Sequence, residues 1–88
     1  MAQNLHLEIV TPEQAVVKTE ADEVVVPGVL GQFDVLPGHT TLLAEVGAGT
    51  LTYSLSGQSK SIHVSGGFAE IIENRVTVLV DTVSELSS

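Results

Sequence analysis

Apolar and polar residues alternate along nearly the whole chain, and that period of two confines it to β structure. Leu5, Leu7 and Ile9 alternate with His6 and Glu8, Leu51, Tyr53 and Leu55 with Thr52 and Ser54, and Ile62 and Val64 with Ser61 and His63. Such alternation gives each strand one face for a core and one for solvent. β-Branched Val, Ile and Thr supply the strand preference. No window carries a convincing 3.6-residue period, so the spacing predicts little or no helix.

Turn signals cut this pattern into short pieces. Thr11-Pro12-Glu13 ends the first strand, and a second follows over Ala15 to Lys18. Val24 to Val26 form a third, closed by Pro27-Gly28, and Gly31 to Leu36 and Thr41 to Val46 are the next two. Gly47-Ala48-Gly49 separates the Thr41 to Val46 run from the Leu51 to Leu55 run, and Ser56-Gly57-Gln58 makes a hairpin turn. Ser65-Gly66-Gly67 reads as a tight turn or glycine bulge between the Ile62 and Phe68 runs. Phe68 to Ile72 and Val76 to Val80 flank a turn at Glu73-Asn74-Arg75, and Ser84 to Ser88 read as a frayed tail. The expectation is an all-β antiparallel sandwich or flattened barrel of many short strands. It occupies residues 1–82 as one domain, with 83–88 as a short flexible tail.

The segment from Val24 to Leu43, VVVPGVLGQFDVLPGHTTLL, is the least usual. It holds two Pro-Gly pairs, a further glycine and a single charge, Asp34. Proline presets its own φ and glycine accepts a positive φ after it, so each pair reads as a tight turn. The apolar residues between the turns need burial, in this domain or in a partner.

At 88 residues and 9.2 kDa the chain has the length of one small domain. It contains no cysteine, so neither a disulfide nor a thiolate metal site supports the fold. Three basic side chains face eleven acidic ones, a formal charge of −8 that repels phosphate backbones and anionic lipid headgroups. No nucleic-acid partner is expected, and a basic protein face is the complementary one. No basic start with a long apolar run marks a signal peptide, and the apolar runs fall short of the ~20 residues of a membrane helix.

No constellation of catalytic residues stands out. The three histidines, His6, His39 and His63, fall on separate elements without the spacing of metal ligands. His6 and His63 take the solvent positions of their strands. His39 follows Pro37-Gly38 and reads either as a turn histidine bonded to nearby backbone or as a contact residue. No serine sits in a nucleophile elbow. Gly28-Val29-Leu30-Gly31 has the bare spacing of an RNA-binding loop without its helices or its charge. Glu20, Asp22 and Glu23 read as a solvated acidic loop rather than a cation site. No cofactor or metal is expected, and the residues alone suggest a binding module.

Taken in order, the landmarks resemble one family. Leu5, Leu7, Ile9, Thr11, Pro12 and Glu13 are followed by Val26-Pro27-Gly28, Gly31, Phe33 and Val35-Leu36-Pro37-Gly38-His39. Then come Leu42-Leu43, Gly66-Gly67-Phe68 with Glu70, and Val76 to Asp81. Over essentially the whole chain this resembles the N-terminal β domain of the epsilon subunit of F-type ATP synthase. The resemblance implies a β-sandwich of about ten short strands on the rotor of a proton-translocating enzyme, between the gamma subunit and the c ring. Catalysis would lie in other subunits, and membrane association would run only through the complex, on the cytoplasmic face of the bacterial inner membrane. It also implies a c-ring contact at Pro27, Gly28, Val29, Leu30, Gly31, Gln32 and Phe33. A gamma contact would fall at Thr11, Pro12, Glu13, His39, Thr40, Leu42 and Leu43.

Longer family members continue into a helical hairpin that can bind ATP or inhibit hydrolysis. Only seven residues follow Asp81, too few for two stable helices, so no ATP binding is expected of these residues. The competing reading from the residues is a freestanding sandwich that binds a peptide or carbohydrate. One Tyr, two Phe and no Trp leave it few stacking platforms. A third, a small hydrolase or metal enzyme using His39 with Asp34, has no supporting motif.

Overall fold

Eight strands in chain order make up the domain, in a computed structural model that describes residues 4–85. They are β1 (Leu5–Val10), β2 (Ala15–Ala21), β3 (Glu23–Gly28), β4 (Gly31–Val35), β5 (Leu42–Val46), β6 (Gly49–Leu55), β7 (Gln58–Ile72) and β8 (Arg75–Glu85). Their hydrogen-bonded order is β2-β1-β8-β7-β5-β3-β4, with β6 bridging β3 and β7. The first half of β7 pairs β6 and its second half pairs β5, while β8 follows β7 throughout. Two layers result: β2, β1 and β5 flank one half of the β7–β8 ribbon, and β6, β3 and β4 continue from the other half. The apolar faces of both layers meet in one core, with Leu5, Leu7 and Ile9 from the first and Val24, Val26 and Leu51 from the second. Each such side chain stabilises the fold by about 1.5–3 kcal/mol relative to exposure.

The all-β expectation holds, with eight strands rather than about ten because β7 and β8 are long and continuous. Ser65-Gly66-Gly67 is not a reversal. The chain continues through it as strand, and the β7–β8 register is the same on both sides, Ser65 opposite Thr82 and Gly67 opposite Val80. What changes is the face that points inward. Ile62 and Val64 are buried before Gly66, but Ala69 and Ile71 after it; on β8, Val76, Val78 and Val80 are buried, and then Val83 packs on the core. Gly66, at φ +63, inserts one residue between the two alternations, and Asp81 does the same opposite. The ribbon thereby leaves one layer and enters the other. Gly67 lets the strands close there, since a Cβ on it would run into the Leu79 carbonyl oxygen on the facing strand.

Three further expectations are corrected. The sheet is mixed, because β1 lies parallel to β8, with Leu7 opposite Val76 and Ile9 opposite Val78. β8 also passes the expected boundary at 82: Val83 and Ser84 pair with Val64 and His63, while residues 86–88 lie outside those described. Finally, Pro27-Gly28 does not end β3. Pro27 pairs with Gln32 and Gly28 with Gly31, so the turn is Val29-Leu30. Gly31, at φ +133, takes the backbone conformation that Val29 and Leu30 avoid. A strand residue aims its N–H and C=O to the same side, and the Pro27 carbonyl faces Gly47. The ring nitrogen therefore faces away from β4, past the end of the β6 ladder at Val25 and Thr52, where no donor is required.

The other turns follow their sequences. His39 N–H donates to the Leu36 carbonyl across Pro37-Gly38, with Gly38 at φ +87, the conformation of a type II turn. Ser56-Gly57 closes β6–β7 with both residues at positive φ, and Glu73-Asn74 closes β7–β8 likewise. Paired positive φ values match the right-handed twist of the strands.

Candidate interaction surfaces

The β3–β4 hairpin builds the first surface. Val29 N–H donates to the Glu45 carbonyl and Gly47 N–H to the Pro27 carbonyl, each at 2.9 Å, so the end of β5 holds the hairpin from behind. The Pro27 ring lies over Gly49, where an added Cβ would come within 2.9 Å of it. Phe33 covers Gly28 and packs on the core. With the flanks fixed, the tip presents two apolar side chains to solvent, Val29 at 53% and Leu30 at 103% of full exposure. Gln32 and Gly31 are exposed beside them. The segment Pro27–Phe33 is thus one projection held at both flanks.

The segments Thr11–Glu13 and His39–Leu43 do not come together in this way. Leu42 pairs with Ile71 at one end of β5, and Val46 pairs with Gly67 at the other. His39 and Thr40 precede Leu42, so they lie at the Ile71 end. Val10 pairs with Leu79, which places Thr11 level with Val80 and Gly67, at the other end. The hairpin tip shares that second end, through the pairing of Gly28 with Val46. Leu42 turns inward onto the core, whereas Leu43 faces out. His39 Nδ1–H donates to the Thr40 carbonyl at 2.7 Å, which holds the ring against its own turn.

What joins the two segments is the outer face of the first layer, whose contribution the sequence reading missed. Phe68 and Leu79 stand opposite one another on it, each about half exposed, with Val10 next to Leu79. A shallow groove there is lined by Val10, Thr11, Pro12, Phe68, Leu79 and Asp81, among others. The signal was present in the apolar residues at outward positions, but reading it requires the change of alternation at Gly66.

The outer face of the second layer is different in kind. Thr52 and Ser61 hydroxyls bond at 3.0 Å, Ser54 and Ser59 at 2.9 Å, and Ser65 bonds Thr82. Phe33 and Tyr53 both pack on the core, leaving Phe68 as the exposed aromatic residue. That face offers a sugar no stacking platform. The acidic cluster has structural partners: Asp22 accepts the Ser56 N–H at 3.0 Å, and Glu20 accepts from the Asn4 amide at 2.9 Å. Among the described residues no group of His, Cys, Asp or Glu side chains is arranged to hold a metal ion.

Comparison with known proteins gives these surfaces a context. Residues 4–85 match the model of the ATP synthase delta/epsilon chain β-sandwich domain. The chain is 45% identical over 82 residues to the ATP synthase epsilon chain of Nitratidesulfovibrio vulgaris, covering 93% of this chain and 61% of that one. It is 48% identical over 83 residues to the epsilon chain of Desulfosudis oleivorans, covering 93% and 62%. The chain therefore spans about three fifths of the length of these relatives. Its fold is also that of a chain in the cryo-EM structure of the Euglena gracilis mitochondrial ATP synthase (OSCP/F1/c-ring, rotational state 1). The TM-score is 0.88 at 18% identity, over 93% of this chain and 53% of that one. A chain of the Tetrahymena thermophila mitochondrial ATP synthase central stalk and c ring superposes with a TM-score of 0.79 at 12% identity, over 96% and 68%. This chain belongs to the delta/epsilon family of ATP synthase, as its β-sandwich domain.

Proposed function

We propose that this chain is a non-catalytic central-stalk subunit of a proton-translocating F-type ATP synthase, coupling gamma to the c ring during ATP synthesis. The observation that carries the reading is the family match across residues 4–85, which includes every strand of the domain. The match supports a peripheral place in a membrane complex, and in this reading that place is the cytoplasmic face of the bacterial inner membrane. The geometry suits the role. β7 and β8 run on as one hydrogen-bonded ribbon from the first layer into the second, so a load applied to one layer reaches the other through paired backbone rather than through loops.

In this reading Pro27–Phe33 meets the c ring, with Val29 and Leu30 as the apolar centre of the contact. Gamma lies along the outer face of the first layer, spanning Thr11–Glu13 at one end and His39, Thr40 and Leu43 at the other. Leu42 supports that contact from the core side. A durable joint needs about 800 Å² per partner, more than either turn alone supplies. The test is size-exclusion chromatography of the chain mixed with gamma at micromolar concentration. Co-elution is expected, and separate elution overturns the assignment.

A further inference from the structure

The outer face of the first layer has a pattern more specific than an apolar patch. Glu45, Phe68, Leu79 and Val10 form one row across β5, β7, β8 and β1, each opposite the next in the pairing register. The row therefore runs across the strands rather than along them. The neighbouring row on one side is Leu43, Glu70, Thr77 and Glu8. On the other side, past Leu79 on the same strand, stands the exposed carboxylate of Asp81. An apolar line is thus bordered by carboxylates on both flanks and at one end. Two basic residues stand beside this border, Lys18 opposite Glu8 on the edge strand β2 and Arg75 one row beyond Thr77 on β8. Of the flanking carboxylates, Glu70 and Asp81 therefore stand farther from a cation of this chain than Glu8 does.

From this arrangement we infer that the face docks an amphipathic helix with basic flanks, lying across the strands and contributed by the neighbouring rotor chain. Four strands at ~4.8 Å spacing give the row a length of about 15 Å. That is about ten residues of helix at 1.5 Å rise, enough for apolar side chains at i, i+3 or i+4, and i+7. Adjacent rows lie about 6.7 Å to either side, two residues along each strand. Side chains flanking the apolar stripe of a helix reach that far, so Lys or Arg there meets Glu8 and Glu70 on one side and Asp81 on the other. A strand partner is disfavoured, because β7 and β8 are already paired on both edges and offer no free backbone. The inference rests on the proposed rotor role for the source of the helix, but not for its chemistry.

Two arms test it. In the first, a synthetic peptide of about 14 residues, with Leu along one helical stripe and Lys on both flanks, is titrated into the chain and amide shifts are followed by NMR. The expected result is shifts centred on Val10, Phe68 and Leu79, and an affinity at least about fivefold weaker for F68S/L79S. Weakening for E45Q/E70Q should shrink as salt is added. Shifts centred on the hydroxyl-rich face of the second layer, or equal affinity for a Leu/Glu peptide, overturn the inference. In the second arm, gamma is tested for binding to the chain and to both variants, whose folding is checked by circular dichroism. Undiminished gamma binding by F68S/L79S overturns the inference and leaves the rotor role standing. Failure of gamma to bind the unaltered chain overturns the rotor role, and the peptide map then decides the face by itself.

Discussion

The side-chain carbonyl of Asn74 accepts the backbone N–H of Gly38 at 2.8 Å, tying the β7–β8 turn to the Pro37-Gly38 turn. The backbone carbonyl of Asn74 accepts the N–H of His6, also at 2.8 Å, so one residue fastens β1 and two turns at this end of the sandwich. It does so at φ +64, next to Glu73 at φ +49. Asparagine tolerates that conformation better than glutamate does. The two positions therefore respond in opposite senses. Glu73→Gly relieves the strained backbone and raises stability by about 1 kcal/mol, a rise of roughly 4–8 °C in Tm for a domain of this size. Asn74→Ala keeps the positive φ and deletes the acceptor, lowering stability by about 1–2 kcal/mol. Thermal melts followed by circular dichroism check both.

Gly66 and Gly67 are neighbours with different physical roles, and alanine separates them. At Gly67 an added Cβ meets backbone on the facing strand, which moves only if the β7–β8 pairing opens. Gly67→Ala is expected to cost more than about 3 kcal/mol or to prevent folding. At Gly66 the nearest atom is the Asp81 carboxylate at 3.2 Å, the far end of an exposed side chain, so the cost is the positive φ alone. Gly66→Ala should lower stability by about 1 kcal/mol. Urea denaturation gives the comparison, and equal costs would remove the distinction between kink and close approach.

The same two glycines explain which parts of the architecture were legible in the sequence. Alternation identified the inward residues of β1 and, at Leu51 and Tyr53, of β6, because those strands keep one parity, although Leu55 at the end of β6 is exposed. The unbroken Val24 to Val26 run of β3 left open which residues face inward. On β7 alternation found Ile62 and Val64 but took the change of parity at Gly66 for a turn between two strands, and on β8 it stopped at Val80, where the parity changes. Pro27 misled for a different reason: its missing N–H falls where the ladder has ended, and a Pro-Gly pair does not reveal that from sequence. The hairpin segment was legible as a candidate because its apolar residues are contiguous. Phe68, Leu79 and Val10 were not, since their row is assembled across three strands and exists only in the register.

Leu30 separates stability from coupling. Its side chain has no neighbours to lose, so Leu30→Ser should change stability by less than about 0.5 kcal/mol. In the proposed c-ring contact the same change removes the most protruding apolar group. Complexes assembled with the variant should retain less of the chain on detergent-solubilised c rings, at an unchanged Tm. Full retention would remove Leu30 from the contact.

Nucleotide gives the last test. The described residues contain no helix, and the grooves on their surface are shallow and lined by strand residues such as Phe68 and Leu79 or Glu8 and Lys18. The acidic surface, at −8 overall, opposes a triphosphate at long range. Magnesium would offset part of that repulsion, but no cluster of carboxylates is arranged to hold it among the described residues. A ligand that binds the native state raises the melting temperature as its concentration exceeds the dissociation constant, by about 2.7 kcal/mol of stability at a hundredfold excess. Millimolar MgATP should therefore leave the Tm of this domain unchanged. A saturable rise would show that the sandwich itself carries a nucleotide site, and its role would then include sensing as well as coupling.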